Sequence, residues 1–548
     1  MLKRVFLLMA VLVVLPWCSG AAAGVPAAKP RIEVRDGWYH LEGRKTFINA
    51  IGYESGARPG EVPYEKTGRD LAQVRRDLQT IKAAGFNGIR TWLELGEREL
   101  QVVQASGLKI LFGIWLKPDE DFSDPRVVER DLALLRRVLA YTRKYDCVIT
   151  YIIMNEPMPE HLHRVGAQAT RDLWHQATTL IHELHPGVPV TISGNSTITE
   201  WVDMNLFDVY ARNAYDYQDG VNFTHGFAQA QRALTESYGQ GKPMVLTEFG
   251  RSVSRQGKAF YGGATLQEQA DAMLKYYRDS LDAGAAGLCP FYYADGWWKA
   301  GAPSRHDDEP EEWFGFRGFK DLRDAVGRPR PAWHALRQYN QALLTSPKNQ
   351  QFYPNEVPVE AFCQPAVKRV RVVHKDAVLL EATPDARGHL EARLAFPGQG
   401  LTDRELVFES YDAKGRLLKL ESIVVLTGGE PIHWPTLELL TPVTDLASTR
   451  TLPVELKLTG DPAFSFGEEV RYAFAPHQGW DRGEKRTRPL ARGVGPQVLE
   501  DAYQVPEGCV MLSIFAGVEI RHGKFRRTLG ARHYLYRGTW ADPLRVRP

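Results

Sequence analysis

"DLAQVRRDLQTIKAAGFNGIRTWL", residues 70–93, contains one complete passage from helix to strand. Leu71, Val74, Leu78 and Ile81 recur at helical spacing, so one face of the segment is apolar and must be buried. Gly85 then reads as a helix C-cap, and "FNGIRTWL" (86–93) follows as a short apolar strand. Upstream, "TFINAIGYES" (46–55) has the same strand character. A strand, a helix and a second strand in this order form the unit that builds parallel sheets.

The unit repeats. Strands are expected at "LKILFGIWL" (108–116), "CVITYIIMNEP" (147–157), "VPVTISGNS" (188–196), "FDVYARNAY" (207–215), "PMVLTEFG" (243–250) and "AAGLCPFYYADGWW" (285–298), which brings the total to eight. Helical runs such as 124–145 and 266–284 separate them. Near-continuous apolar strands need cover on their outer face, and eight such units in about 300 residues predict an α/β (β/α)8 TIM barrel. An open doubly wound sheet would carry a glycine-rich phosphate turn after its first strand, and "GYESGARPG" is not one.

After about residue 350 helical periodicity gives way to prolines ("YPNEVPVEAFCQP") and to strand-like alternation in "RVRVVHKDAVLLEA", "GHLEARLAF" and "RELVFESYDAKGRLL". "GGEPIHWP" (428–435) reads as a linker before a further strand-rich unit. The expected organisation is a leader over 1–23, a catalytic barrel over 30–346, and two C-terminal β-sandwich-like domains over 352–430 and 436–548.

The leader is inferred from Lys3 and Arg4, an apolar run from Val5 to Trp17, and small residues ending at Ala23. The run is too short to span a bilayer, so cleavage and a secreted or periplasmic protein without a membrane span are expected. A formal net charge of +2 favours neither nucleic acid nor an anionic surface, and a monomer is expected. Cys147, Cys289, Cys363 and Cys509 fit no zinc spacing and read as buried free thiols, with Cys363–Cys509 the pairing to test first.

In such a barrel the catalytic groups sit where strands end and loops begin. The fourth strand ends in Asn155-Glu156-Pro157 and the seventh in Thr247-Glu248-Phe249-Gly250. Two glutamates at the same rim can face each other across a cleft, as glycoside hydrolysis requires. The eighth strand runs into Phe291, Tyr292, Tyr293, Trp297 and Trp298, flat surfaces that suit the C–H faces of sugars. Trp297 and Trp298 are the expected ligand-facing pair. "EHLH" (160–163) lacks the histidine spacing of a zinc helix, so neither metal nor organic cofactor is expected. "HDDEPEEW" (306–313) reads as a solvated loop that can also line the cleft mouth.

Asn-Glu-Pro ending strand four, with a second glutamate ending strand seven, resembles the clan A retaining glycoside hydrolases, especially families 5 and 2. The resemblance covers roughly residues 35–345. It implies a double displacement in which Glu248 attacks the anomeric carbon and Glu156 serves as acid and then base. It also places Arg90 beside the nucleophile, Tyr215 as its hydrogen-bond donor, Asn155 on the sugar 2-hydroxyl, and Asn213 in the pattern of family 2. "ARNAYDY" departs from the His-x-Tyr of family 5 at this point. "LKILFGIWL" looks like third-strand segments of bacterial family 17 enzymes, which keeps β-glucan transglycosylation beside β-glycoside hydrolysis as an expected activity. A non-catalytic carbohydrate-binding barrel is the third reading.

Overall fold

The computed structural model describes residues 32–63, 70–157, 165–194, 204–215, 241–255, 262–398, 400–429, 433–476, 484–491, 496–509 and 511–537. The leader, "EHLH" and part of "GGEPIHWP" lie outside them. No helix among the described residues is long and apolar enough to cross a membrane.

Eight parallel strands form the barrel: β1 (Ile48–Gly52), β2 (Gly88–Arg90), β3 (Lys109–Gly113), β4 (Val148–Asn155), β5 (Val190–Ser193), β6 (Tyr210–Asn213), β7 (Met244–Glu248) and β8 (Gly287–Leu288). Each pairs with its neighbour in sequence, and β8 returns to β1 through Gly287–Ile48 and Leu288–Asn49. A parallel bridge between Gly194 and Arg212 joins β5 to β6 and closes the ring. All eight expected strands are present, each shorter than its apolar run because the run continues into the loops above and below the sheet.

The helices form where caps and periodicity agree. In α1 (Leu71–Ala83), Asp70 accepts the Ala72 N–H at the N-cap while Val74, Leu78 and Ile81 are buried against the strands. Gly85 ends it at φ +85°, and a Cβ there would lie 2.8 Å from that of Asn340. α2 (Glu97–Ser106), α3 (Pro125–Thr142) and α4 (Ala167–Leu184) continue the series. α3 starts on an Asp124 cap with proline at its first position, and α5 (Leu266–Asp282) starts on a Thr265–Glu268 capping box. α6 (Pro331–Tyr339) completes the set.

Two apolar layers result. One lies between strands and helices and includes Leu78, Ile89, Phe112, Trp174 and Leu246. The other fills the barrel interior with Ile48, Ala50, Leu111, Ile149, Val245 and Cys289. Each large side chain buried this way contributes about 1.5–3 kcal/mol. A three-stranded antiparallel sheet over Ile32–Thr46, absent from the sequence expectation, packs Tyr39 into the interior layer, where its hydroxyl meets Thr150 Oγ1 at 2.7 Å. It plugs the amino-terminal end, which leaves the carboxyl end for chemistry.

Two sandwiches follow, antiparallel except where Gln351–Tyr353 pairs in parallel with Leu417–Thr427. The first packs Ala342–Ser346, Glu356–Cys363 and His389–Ala395 against a five-stranded sheet drawn from residues 351–427. The proline-rich stretch is therefore a central strand, with Pro358 opposite Arg393, and Ala342–Ser346 belongs to this sheet. The second sandwich spans Thr436–Tyr536 with its own core. The four cysteines are free and buried. Cys363 sits in the first sandwich core and Cys509 in the second, so the pairing to be tested first is not formed.

A buried ionic cluster fixes the first sandwich to the barrel. Arg278 of α5 donates to Asp282 at 2.7 Å and to Glu421 of the sandwich at 3.3 Å. Glu421 also accepts from Tyr339 at 2.6 Å and pairs with Lys419 at 3.0 Å.

Candidate active site

The ends of β2, β4, β6 and β7 bring six polar side chains to one rim. Arg90 ends β2 and is fully buried, lying beneath the carboxylate that ends β7: its Nη1 donates to Glu248 Oε1 at 2.9 Å and its Nη2 to Asn155 Oδ1 at 2.6 Å. One guanidinium thus ties β2 to both β4 and β7, a use that its planar fork of donors allows. Tyr215, two residues past β6, donates to Glu248 Oε2 at 3.1 Å.

Glu156 follows β4 directly and sits in the left-handed region at φ +46°, a costly conformation for a residue with a side chain. Its backbone N–H is held by the Ser193 carbonyl at 2.8 Å. Asn213 donates to Glu156 Oε1 at 2.9 Å and to Asn155 Oδ1 at 3.3 Å, while its own carbonyl oxygen accepts from Ser193 and Thr247. Those two hydroxyls set the amide's orientation. The oxygen of Asn155 is in turn occupied by Arg90 and Asn213, so its amide N–H is the group presented to a ligand.

Above these residues opens a cleft of about 650 Å³, walled by Trp92, Trp115, Tyr215, Phe291 and Trp298, with Asn155, Glu156 and Glu248 in its lining. Flat apolar walls around a few convergent polar groups are suited to a sugar.

Burial pushes the Glu156 carboxyl up, and the like charge of Glu311 adds to this against the Asn213 hydrogen bond and Arg90. Burial also pushes Glu248 up, to about 7, with Arg90, Lys299 and Tyr215 pulling down and Glu156 pushing up. The donors set the two carboxyls apart: Arg90 and Trp92 can only donate, and both point at Glu248 Oε1, which favours the negative charge on Glu248.

Of the residues singled out from sequence, Arg90, Asn155, Glu156, Asn213, Tyr215 and Glu248 form one connected network. Asn213 supports Glu156 from below and does not line the cleft. Trp298 lines it, and its indole N–H donates to Glu54 Oε2 at 3.1 Å. Trp297 does not. It is buried in the barrel core, stacked on His306 at 4.9 Å, and His306 stacks on Trp313 at 3.6 Å. The neighbouring indoles thus divide the two tasks, one packing and one facing the cleft.

Two further participants stand at strand ends. Trp92 donates to Glu248 Oε1 at 2.6 Å and lies under the Arg90 guanidinium at 3.9 Å. Glu54, just past β1, holds Lys299 at 3.2 Å. The rule that exposed Glu156 would have found Trp92 in "GIRTW" and Glu54 in "GYES", since both follow buried apolar strands. Glu311, from the acidic run, reaches the cleft on the 3-10 turn Pro310–Trp313. That run is cleft lining in part, with Glu309 and Pro310 beside it.

No protein-family model and no curated protein matches the sequence. Among solved structures, the β-glucuronidase of Parabacteroides merdae with glycerol in its active site is similar at 12% identity and a TM-score of 0.45, over 92% of this chain and 64% of that one. β-Glucuronidase 2 of Bacteroides uniformis, covalently bound to cyclophellitol-6-carboxylate aziridine, is similar at 12% identity and a TM-score of 0.45, over 92% and 66%. The Bifidobacterium dentium β-glucuronidase complexed with coumarin-3-O-glucuronide is similar at 19% identity and a TM-score of 0.44, over 56% and 48%. This chain spans less than two thirds of the length of these β-glucuronidases.

Proposed function

We propose that the chain is a retaining glycoside hydrolase that cleaves a β-linked oligo- or polysaccharide by double displacement. The observation that carries this reading is the asymmetry of two glutamates on one cleft: Glu248 receives three donors, from Arg90, Trp92 and Tyr215, whereas Glu156 receives one amide and has its carboxyl pushed up by burial. Different surroundings give chemically similar groups different roles.

The sugar stacks on the aromatic walls with its anomeric carbon beside Glu248. Glu248 Oε attacks that carbon as the glycosidic C–O bond breaks, and the Glu156 proton passes to the departing oxygen. Positive charge building on the ring is met by the Glu248 carboxylate, while the Asn155 N–H binds the 2-hydroxyl more strongly in the transition state. Water then enters, Glu156 removes its proton, and Glu248 is released with retention at the anomeric carbon. The leader-like first residues support action outside the cytoplasm.

Azide tests the assignment. With an activated aryl β-glycoside, Glu248→Ala plus azide should yield the α-glycosyl azide, because azide replaces the missing nucleophile from the opposite face. Glu156→Ala plus azide should yield the β-glycosyl azide, formed from the glycosyl-enzyme. Two azides of the same configuration, or near-normal turnover by both variants, would overturn the mechanism. Products longer than the starting oligosaccharide would identify the same site as a transglycosylase.

A further inference from the structure

Glu311 stands apart from the other carboxylates of the cleft. Glu248 is matched by Arg90, and Glu54 by Lys299 and Trp298. Lys299 is the only ammonium lining the cleft among the described residues, and Glu54 together with the surrounding Phe291, Tyr292 and Trp298 rings already holds it. Glu311 is exposed to the cleft and accepts no hydrogen bond from any described residue.

Its position is well fixed. The turn that carries it is held by Ser252 Oγ donating to the Pro310 carbonyl at 2.8 Å and by Val253 N–H donating to the Trp313 carbonyl at 3.2 Å. Trp313 Nε1 donates to the Asp307 carbonyl at 2.6 Å. Arg330, paired with the fully buried Asp295, reaches the Trp313 carbonyl at 3.2 Å. Glu311 lines the same cleft as Glu156, Glu248 and Tyr215. Burial and the carboxylates around it push its carboxyl up, and the field of Lys299, which is held by Glu54, only partly offsets them. A neutral sugar adds no countercharge, a uronic acid adds to the repulsion, and a protonated amine relieves it.

We propose that Glu311 selects β-glycosides bearing a free, protonated amino group on a sugar next to the cleavage point, in preference to neutral sugars and against uronic acids. The inference rests on the reading of this cleft as a glycosidase site and goes further by naming the substrate class.

The test uses the full chain carrying Glu156→Gln, which imitates the protonated acid and binds without turnover. Calorimetric titrations with a β-1,4-linked glucosamine tetramer, with cellotetraose and with a C6-oxidised cellotetraose should rank in that order at a pH where the amines are protonated. About tenfold or more should separate the first two, as expected for one charge-assisted hydrogen bond. Adding Glu311→Gln should bring that ratio close to one, and raising the salt should reduce it in the parent only. Equal binding of amine and neutral tetramers, a preference that survives Glu311→Gln, or binding of none of the three would overturn the proposal. Failure of the glycosidase reading shows separately, as absence of turnover by the unmodified protein on aryl β-glycosides of all three sugar types.

Discussion

Two places in this molecule bury several charged groups together, and they balance them differently. At the junction of barrel and first sandwich, Glu421 meets Lys419, Arg278 and Tyr339; burial alone would push its carboxyl up, but the two cations outweigh burial and hold it at about 2. In the cleft, Glu248 has a buried arginine of its own and still rises to about 7, because burial is not outweighed and the charge of Glu156 adds to it. Balanced charges hold the junction together and titrate far from neutrality. The cleft carboxyls, less fully balanced, are held nearer neutrality.

The contrast can be broken from the cleft side first. Glu248→Ala should lower kcat by roughly 10⁴- to 10⁶-fold, the loss expected when a covalent nucleophile is removed, with substrate binding still detectable by titration. Glu156→Ala should lower it by about 10²- to 10⁴-fold for substrates with poor leaving groups, and by much less for activated aryl glycosides that need no proton. An equal loss for both leaving groups would remove Glu156 from the acid role.

At the junction, Glu421→Ala leaves Lys419 buried without its carboxylate and should destabilise the fold by about 3–5 kcal/mol, read as a lower first unfolding transition. The pH dependence has a definite sign. The folded value of about 2 lies below the ordinary 4.5, so this stabilisation is complete above 4.5 and is lost as the pH falls from there toward 2. The variant should lack that part of the acid sensitivity.

The smallest effect should come from Trp92→Phe, which keeps the ring under Arg90 and removes one N–H from Glu248. The acid limb of kcat/KM should move up by about one pH unit, equivalent to a charge-assisted hydrogen bond of about 1.5 kcal/mol. An unmoved limb would reduce Trp92 to packing.

The eight strands were legible because each is a short apolar run followed by an amphipathic segment, a pattern few other folds demand. That Glu156 and Glu248 share one cleft was legible because a carboxylate at the end of such a run needs a reason to be there. The partners of that pair were harder to see. Trp92 follows a buried strand as Glu156 does, yet an indole there passes for core packing where a carboxylate does not, and of the two tryptophans expected to face a ligand Trp297 instead stacks inward on His306. The hairpin plug over Ile32–Thr46 is too short and too polar to announce a barrel floor. Pro358 hid the central position of its strand, since a missing N–H usually sends proline to an edge.

The ionic junction also determines how the chain can be divided. Arg278 donates to the Leu344 carbonyl at 3.1 Å as well as to Glu421, and Lys419 reaches back to the Ala342 carbonyl at 2.6 Å. A protein shortened after Ser346 would keep every strand of the barrel yet expose Arg278 and Tyr339 on helices that pack directly behind β7 and β8. A cut at Ser346 therefore divides one buried ionic cluster, and barrel and first sandwich form a single unit of stability.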